Sequence, residues 1–216
     1  IMIETFSLTF SDQGENHPGM ELVGSMVPPG QGFNYNDLTQ IQNKFESHKF
    51  KTELHYLNEL YHQENINKII PKAYVLVVRQ GLQYFLDIQG KTQDDMIQEM
   101  TNFSWDNKYF DTRRQKVLNK HARTNVCFGS IAQEPDYPNK KGTIVSYSQV
   151  PILDNIRKEL FNMIGEKGKN LVCEGNRYYD LKKCGIGWHG DKERRKVIAF
   201  RLGEEMNLNY RWFHPI

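Results

Sequence analysis

The sequence predicts an α+β fold that is mainly β, with a jelly-roll or two-sheet barrel core and helices packed outside it. Short alternating or uniformly apolar segments recur along the 216 residues, separated by turn-forming Gly, Pro and Asn. Only a few segments have helical spacing, and they do not alternate with strands as a βαβ sheet requires. This pattern disfavours a Rossmann-type sheet.

Residues 1–118 are predicted to form an N-terminal α+β extension of unknown role. Alternation over Thr5–Phe10 predicts a strand. A helix is expected to start near Leu38, with Asn36 or Asp37 as its cap. Apolar spacing predicts a further helix over Phe45–His62.

A hairpin and a capped helix are predicted next. The apolar runs Ala73–Val78 and Leu82–Ile88 flank a short turn that contains glycine. Thr92 is expected to cap a helix that runs to about Thr101. Residues 104–118 mix aromatic and charged side chains and are predicted to be a linker or a lid, so we place a domain boundary near residue 118.

Residues 119–216 are predicted to form the core domain. Strands are expected over residues 119–129, 143–147, 171–179, 197–203 and 206–213. An amphipathic helix is expected from residue 151 to residue 163, and its inward side chains are Ile152, Leu153, Ile156, Leu160 and Met163.

Composition favours an intracellular protein, cytoplasmic or nuclear, without a membrane segment. The chain is 38% hydrophobic with a mean hydropathy of −0.67, and no apolar run approaches the roughly 20 residues that cross a bilayer. A secretory signal is not visible at the N-terminus. Cys127, Cys173 and Cys184 lack Cys-x-x-Cys spacing, which disfavours disulfides and a cysteine zinc site and favours a reducing compartment.

The most informative stretch is Ile186–Glu193, which reads I-G-W-H-G-D-K-E. Alternate side chains of a strand share a face, so His189 and Asp191 are predicted to point the same way, with Glu193 following them. An imidazole and a carboxylate side by side are two of the three ligands of the facial triad that binds Fe(II). The third ligand, a second histidine, is expected from a distant strand.

Residues 119–213 resemble the core of AlkB-type 2-oxoglutarate/Fe(II) dioxygenases in the order and spacing of four elements. A basic strand that ends in Phe128-Gly129 comes first, and a helix led by Pro151 follows. Asn176-Arg177-Tyr178 is similar to the N-x-Y strand of that family, and Ile186–Glu193 followed by Val197–Gly203 is similar to its iron strand. The resemblance implies a double-stranded β-helix (jelly-roll) core and an oxygenase that hydroxylates or demethylates a substrate with Fe(II) and 2-oxoglutarate.

The resemblance also implies roles for individual side chains. His189 and Asp191 would bind the iron. Asn176 and Tyr178 would hold 2-oxoglutarate. Glu193 is the candidate catalytic residue, either beside the iron ligands or in contact with the substrate.

Structural roles are the alternatives for three of these residues. Asn176 fits the cap of a turn, Tyr178 fits a core position, and Glu193 fits an ion pair with Arg195. Tyr179 matches the family position as well as Tyr178 does.

The second iron-binding His of the family, and the Arg that grips the far carboxylate of 2-oxoglutarate, lie farther beyond the His-x-Asp than residue 216. His214 is the one histidine that follows His189, and it comes too early for this role. We therefore expect the core domain to be incomplete at its C-terminus. Two other histidines, His55 and His62, would share a helical face, but no third ligand accompanies them, which favours a solvated face.

Basic side chains favour nucleic acid over protein as the substrate. Basic residues outnumber acidic ones in residues 119–216, while the reverse holds in residues 1–118. Lys and Arg neutralise phosphates, and aromatic side chains among them stack on bases. The predicted nucleic-acid-binding residues are Arg123, Lys192, Arg194, Arg195 and Lys196, with Arg113, Arg114, Lys116 and Lys120 nearby. A solvated basic rim is the alternative.

A second function stays open at this point. The chain is either the oxygenase described above or a non-catalytic binding module that recognises nucleic acid or a protein partner. Such a module would bind polyanions with an affinity that falls with salt and does not depend on iron.

Overall fold

The computed structural model describes residues 4–60 and 71–212, which divide into two compact units. One unit comprises residues 4–32 and 82–205, and the other comprises residues 33–60, 71–81 and 206–212. These units do not coincide with the predicted regions 1–118 and 119–216. The described α-helices are α1 (Tyr35–Ser47), α2 (Gly81–Asp87), α3 (Gln93–Thr101) and α4 (Pro151–Ile164).

The first unit is built on a five-stranded sheet in the order β11-β1-β10-β8-β9. Its strands are β1 (Thr5–Ser11), β8 (Thr124–Gly129), β9 (Ile144–Ser146), β10 (Val172–Tyr178) and β11 (Val197–Gly203). β1 is antiparallel to both β10 and β11, and β8 is parallel to β9. The N-terminal strand therefore lies between two strands from the C-terminal half of the chain.

One face of this sheet is apolar and carries the core. Phe6, Leu8 and Phe10 alternate along β1 and are fully buried. By register, Val126 and Phe128 of β8 and Phe200 and Leu202 of β11 lie on the same face. Burial of these side chains is the main force that holds the unit together.

The opposite face is polar and also buried. Ser7 of β1, Asn176 of β10 and Asn125 of β8 are register partners, and each is less than 10% exposed. Glu174 lies on the same face, two residues before Asn176. Buried polar groups require partners, so we call this face the polar face and return to its contacts below.

Two short hairpins complete the strands of the first unit. β2 (Gln13–Glu15) pairs with β3 (Leu22–Gly24), and β6 (Lys108–Asp111) pairs with β7 (Lys116–Asn119). The second hairpin occupies the segment that was predicted to be a linker or a lid.

Two helices agree closely with prediction. Thr92 caps α3 in a reciprocal capping box with Asp95, and all five side chains predicted to point inward from α4 are buried. The N-terminus of α4 has no side-chain cap of its own. The buried Glu99 of α3 supplies one, because its carboxylate accepts the N–H groups of Ile152 and Leu153 (2.8 and 2.9 Å).

The second unit corrects two sequence predictions. The helix predicted over residues 45–62 is wrong in its described part, because α1 ends at Ser47 and β4 (Thr52–Tyr56) follows. The chain reverses at Lys49, which has a left-handed φ of 65°. β4 then pairs with β5 (Tyr74–Val78), so strand pairing prevails over helical spacing.

The hairpin predicted over residues 73–88 is also wrong. Its first strand, β5, pairs with β4, and the second segment is helix α2. Leu82, Phe85 and Leu86 are buried at the i, i+3, i+4 spacing of a helical face. The start of α1 is displaced by a few residues as well, because Asn34 provides the capping box in place of Asn36 or Asp37.

Four strands predicted in residues 119–203 are confirmed as β8, β9, β10 and β11. The segments on either side of β11 differ from the prediction. The His-Gly-Asp triplet was predicted to lie in a strand, but residues 179–196 form a loop and β11 starts only at Val197. No strand is present over residues 206–212, and Phe213 lies outside the described residues.

The described architecture is α+β and mainly β. Its sheets are open, and the five-stranded sheet has edges at β9 and β11. Closure into a jelly roll stays a prediction. Among the helices of residues 4–60 and 71–212, none has the length and apolar character needed to span a membrane.

Candidate functional site

The loop between β10 and β11 lies over the polar face and is tied down through its backbone. The Gly185 N–H donates to the carbonyl of Ala122 (3.0 Å). At the other end, the N–H groups of Arg195 and Lys196 both donate to Oδ1 of Asp12 (3.0 Å). Burial opposes ionisation of Asp12, but these N–H donors hold its pKa below the ordinary value.

His189 and Asp191 are neighbours in this loop, although neither lies in a strand. Nε2 of His189 is 3.6 Å from Oδ1 of Asp191, and the two side chains are 51% and 34% exposed. Nδ1 of His189 is 2.7 Å from the carbonyl of Gly187. In the tautomer with the proton on Nδ1, that nitrogen donates to Gly187, and Nε2 keeps a free lone pair beside the carboxylate.

Arg194 is the buried cation of the loop. Its side chain is only 6% exposed, and Nη2 donates to Oε2 of Glu174 (2.6 Å) and to Oε1 of Glu193. Nε lies 3.6 Å from Oδ2 of Asp191. Burial alone would lower the pKa of Arg194, but the surrounding carboxylates raise it above its ordinary value, so the guanidinium stays charged.

Glu174 carries these contacts into the sheet. Its Oε1 accepts a hydrogen bond from Nδ2 of Asn176 (3.0 Å), and Oδ1 of Asn176 accepts one from Nε of Arg123 (2.6 Å). A continuous set of contacts therefore runs from Arg123 through Asn176 and Glu174 to Arg194, and ends at Asp191 and His189. We call these six side chains the polar chain.

Tyr178 and Tyr179 occupy different environments. Tyr178 is 4% exposed on the polar face, where burial raises its pKa while Arg123 and Arg201 oppose the rise. The Tyr179 side chain is 44% exposed, and its hydroxyl donates to the carbonyl of His121 (3.2 Å). Tyr178 is thus the tyrosine that shares the buried face with the polar chain.

Two carboxylates of the site, Glu174 and Glu15, were not assigned from the sequence. Glu174 could have been found, because it precedes Asn176 by two residues in a predicted strand and must share its face. Glu15 of β2 gave no sequence signal. Burial, followed by the charges of Glu193 and Glu174, raises the pKa of Glu15, which shows that the β2–β3 hairpin approaches the same cluster.

A second polar network borders this site. Nζ of Lys120 donates to Oδ1 of Asn16 (2.9 Å) and to Asn125, and burial lowers the pKa of Lys120 to about 8. Asn16 in turn donates to Asp106 (2.8 Å), which also accepts the N–H and the hydroxyl of Thr143 (2.8 and 2.6 Å). These contacts join Asn16, which follows β2, to Asn125 of β8 and to Thr143, which precedes β9.

The predicted nucleic-acid-binding residues fall into three groups. Lys192 and Arg195 are exposed. Arg194 and Lys196 are buried, and Arg194 is fully engaged with carboxylates. Arg123 is half-buried and belongs to the polar chain.

Exposed cations are concentrated instead on the β6–β7 hairpin. Lys108, Arg113, Arg114 and Lys116 are all exposed. Asp111 shapes the turn, because its carboxylate accepts the N–H groups of Arg113 and Arg114 (2.9 and 2.8 Å). We call this segment the basic hairpin.

Metal coordination by three side chains is not seen in the described part of the chain, where no group of three or more His, Cys, Asp or Glu is arranged to hold an ion. His189 and Asp191 provide two donors. His62 and His214 lie outside the described residues.

Comparison with known proteins identifies a viral relative. The chain is 39% identical over 212 residues to the uncharacterized protein R156 of Acanthamoeba polyphaga mimivirus, and the match covers 97% of this chain and 78% of the viral protein. No family model and no solved structure matches the chain. At this identity and coverage, the chain belongs to the same protein family as the mimivirus protein.

Proposed function

We propose that this protein is a 2-oxoglutarate/Fe(II)-dependent oxygenase that hydroxylates or demethylates its substrate. One observation supports this most. The residues predicted to bind iron, His189 and Asp191, and the residue predicted to hold 2-oxoglutarate, Asn176, belong to one polar chain. His189 and Asp191 lie in the loop that follows β10, and Arg194 and Glu174 connect them to Asn176 in that strand.

The side chains fit an iron ion by their chemistry. Nε2 of His189 and Oδ1 of Asp191 are a nitrogen and an oxygen donor 3.6 Å apart, and the Gly187 carbonyl favours the tautomer that leaves Nε2 free. When bound, Fe(II) supplies the open coordination positions at which 2-oxoglutarate and O₂ react. The jelly-roll closure predicted for the core belongs to this proposal, since it would bring a third ligand from another strand.

Asn176 and Tyr178 would hold 2-oxoglutarate from the polar face. Both are buried there, and Arg123 adds a positive charge beside Asn176. Glu193 differs from these residues. Its two oxygens accept hydrogen bonds from the N–H of Lys192 (2.9 Å) and from Arg194, which favours a role in shaping the loop over direct contact with the substrate.

A thermal-shift experiment on the full-length protein tests the proposal. At about 100 times its Kd, each of the two ligands, Mn(II) and 2-oxoglutarate, should stabilise the fold by about 2.7 kcal/mol, or about 5–10 °C. His189→Ala and Asp191→Ala should abolish the shift. His121→Ala, at an exposed histidine outside the polar chain, should retain it. Absence of any shift in the unsubstituted protein would overturn the proposal.

The basic hairpin supports nucleic acid as the substrate class. The hairpin carries four exposed cations and one carboxylate, Asp111, which is occupied in shaping the turn. Single-stranded oligonucleotide affinity should fall with salt, and Arg113→Gln with Lys116→Gln should reduce the log–log slope by about 0.7 per residue. Lys91→Gln, outside the hairpin, should leave the slope unchanged. Affinity for oligonucleotides without any stabilisation by metal would instead support a non-catalytic binding module, and no affinity would favour a protein substrate.

A further inference from the structure

We infer that Arg194 is a positioning residue that holds Asp191 in the orientation required for metal binding, and that Glu174 anchors it to the sheet. This inference rests on the proposed oxygenase function and extends it to two residues that have no assigned role in metal binding. The Arg194 side chain is buried, unlike His189 and Asp191, and it contacts Asp191.

The geometry divides the two oxygens of Asp191 between two tasks. Oδ2 lies 3.6 Å from Nε of Arg194, and Oδ1 lies 3.6 Å from Nε2 of His189. A carboxylate on an otherwise irregular loop is free to rotate. A guanidinium beside one oxygen restricts that rotation and leaves the other oxygen directed at the imidazole side.

Arg194 itself is held rigidly. Its side chain is 6% exposed, and Nη2 donates to Oε2 of Glu174 in β10 at 2.6 Å. β10 lies inside the sheet between β1 and β8, so the anchor belongs to the most constrained part of the unit. The loop that carries the predicted metal ligands has no helix or strand of its own, and this ion pair helps to hold it in place.

Glu174 also links the two predicted ligand sites. Its Oε1 accepts a hydrogen bond from Asn176, and its Oε2 accepts one from Arg194. Loss of this anchor should therefore weaken binding of both metal and 2-oxoglutarate. A purely structural ion pair would lower stability without this joint effect on affinity.

The test measures Mn(II) affinity of the full-length protein by electron paramagnetic resonance and 2-oxoglutarate affinity in the presence of Mn(II). Arg194→Lys keeps the charge but loses the planar fork. The double variant Glu174→Gln/Arg194→Met removes both members of the Glu174–Arg194 pair, so that neither of these two charges is left buried without the other. Each should weaken Mn(II) binding by about 10–100-fold, the range typical of residues that orient a metal ligand.

Arg157→Lys is the matched control. Arg157 forms the same kind of fork on a carboxylate, with Nε and Nη2 at 2.9 and 2.7 Å from Oδ1 of Asp154, but on helix α4. The Mn(II) affinity of the Arg157→Lys variant should match that of the unsubstituted protein.

The outcomes separate the two claims. Affinities within about threefold of the unsubstituted protein for both Arg194 variants would overturn the positioning role and leave the oxygenase proposal intact. If both variants unfold, the role of Arg194 is structural and the inference is overturned. If the unsubstituted protein binds no Mn(II), the proposed function fails first, and the positioning role fails with it.

Discussion

Replacement of Glu174 by glutamine should destabilise the first unit more than any exposed ion-pair substitution in it. The Glu174 side chain is 9% exposed and accepts hydrogen bonds from both Arg194 and Asn176. Breaking a buried ion pair costs about 3–5 kcal/mol. Glu193 and Asp191 remain beside the guanidinium and keep part of the interaction, so we expect a loss of about 2–3 kcal/mol, at or just below the lower bound of that range.

Unfolding by urea or heat, followed by tryptophan fluorescence, measures this loss. Trp105 is buried in the same unit, and its indole N–H donates to the carbonyl of Met100 (2.9 Å), so its emission reports on the core. The expected loss corresponds to a fall of about 4–12 °C in the melting temperature. Asp180→Asn removes an exposed pair with Lys183 and should have a clearly smaller effect. Equal effects of the two substitutions would refute the argument that burial makes the Glu174 pair important.

Three further predictions concern stability. Burial against Tyr109, whose ring stacks on His17 at 3.7 Å, lowers the pKa of His17 to about 4. Its stabilising contribution is therefore full above about pH 6.5 and is lost as the pH falls towards 4. Because the ring is partly exposed, we expect the free energy of unfolding to fall by only about 1–2 kcal/mol over this pH range. His17→Phe should remove this fall from the pH dependence of unfolding. A pH profile of the variant that matches that of the unsubstituted protein would contradict this prediction. Asp106→Ala should cost about 2–4 kcal/mol, since it leaves several buried donors unpaired, whereas a loss below about 1 kcal/mol would mean that water replaces the carboxylate. Leu153→Ala in the core of α4 should cost about 2–5 kcal/mol in urea unfolding, and a smaller cost would show that the helix repacks.

Elements with strong local signals were predictable from the sequence. α4 has a long amphipathic pattern that begins at Pro151, and α3 has a capping box at Thr92. β1 has strict alternation. In each case the local preference and the tertiary packing point to the same structure, so no competing interaction overrides it.

The wrong assignments have physical causes that lie outside local periodicity. β4 becomes a strand because it pairs across an intervening segment with β5, which was predicted as a strand but with another partner, and pairing partners are not visible in a local window. α2 was missed because its seven residues hold only one helical repeat of apolar side chains. The place of β1 between β10 and β11 depends on contacts between residues far apart in the sequence, which periodicity does not encode.

The candidate site was predictable in its residue types but not in its geometry. His189 and Asp191 were expected to meet through strand alternation, yet they meet in a loop. The loop that carries them is fixed by Asp12, far away near the start of the chain, and by Arg194, which is bound to Glu174 of β10. A local window of sequence does not show these contacts.

The distribution of burial along the polar chain indicates where its chemistry lies. Glu174, Asn176 and Arg194 form the interior and are nearly inaccessible to solvent. His189 is half exposed at one end. A buried set of charges that served stability alone could equally be replaced by apolar side chains, which are often as stabilising in such positions. Hydrogen bonds connect the centre of the sheet to Arg194, and close contacts of 3.6 Å continue to an accessible carboxylate and imidazole. The proposed need to hold those two groups in place for a ligand predicts such an arrangement, and the paired measurements on Glu174 and Arg194 separate that need from stability.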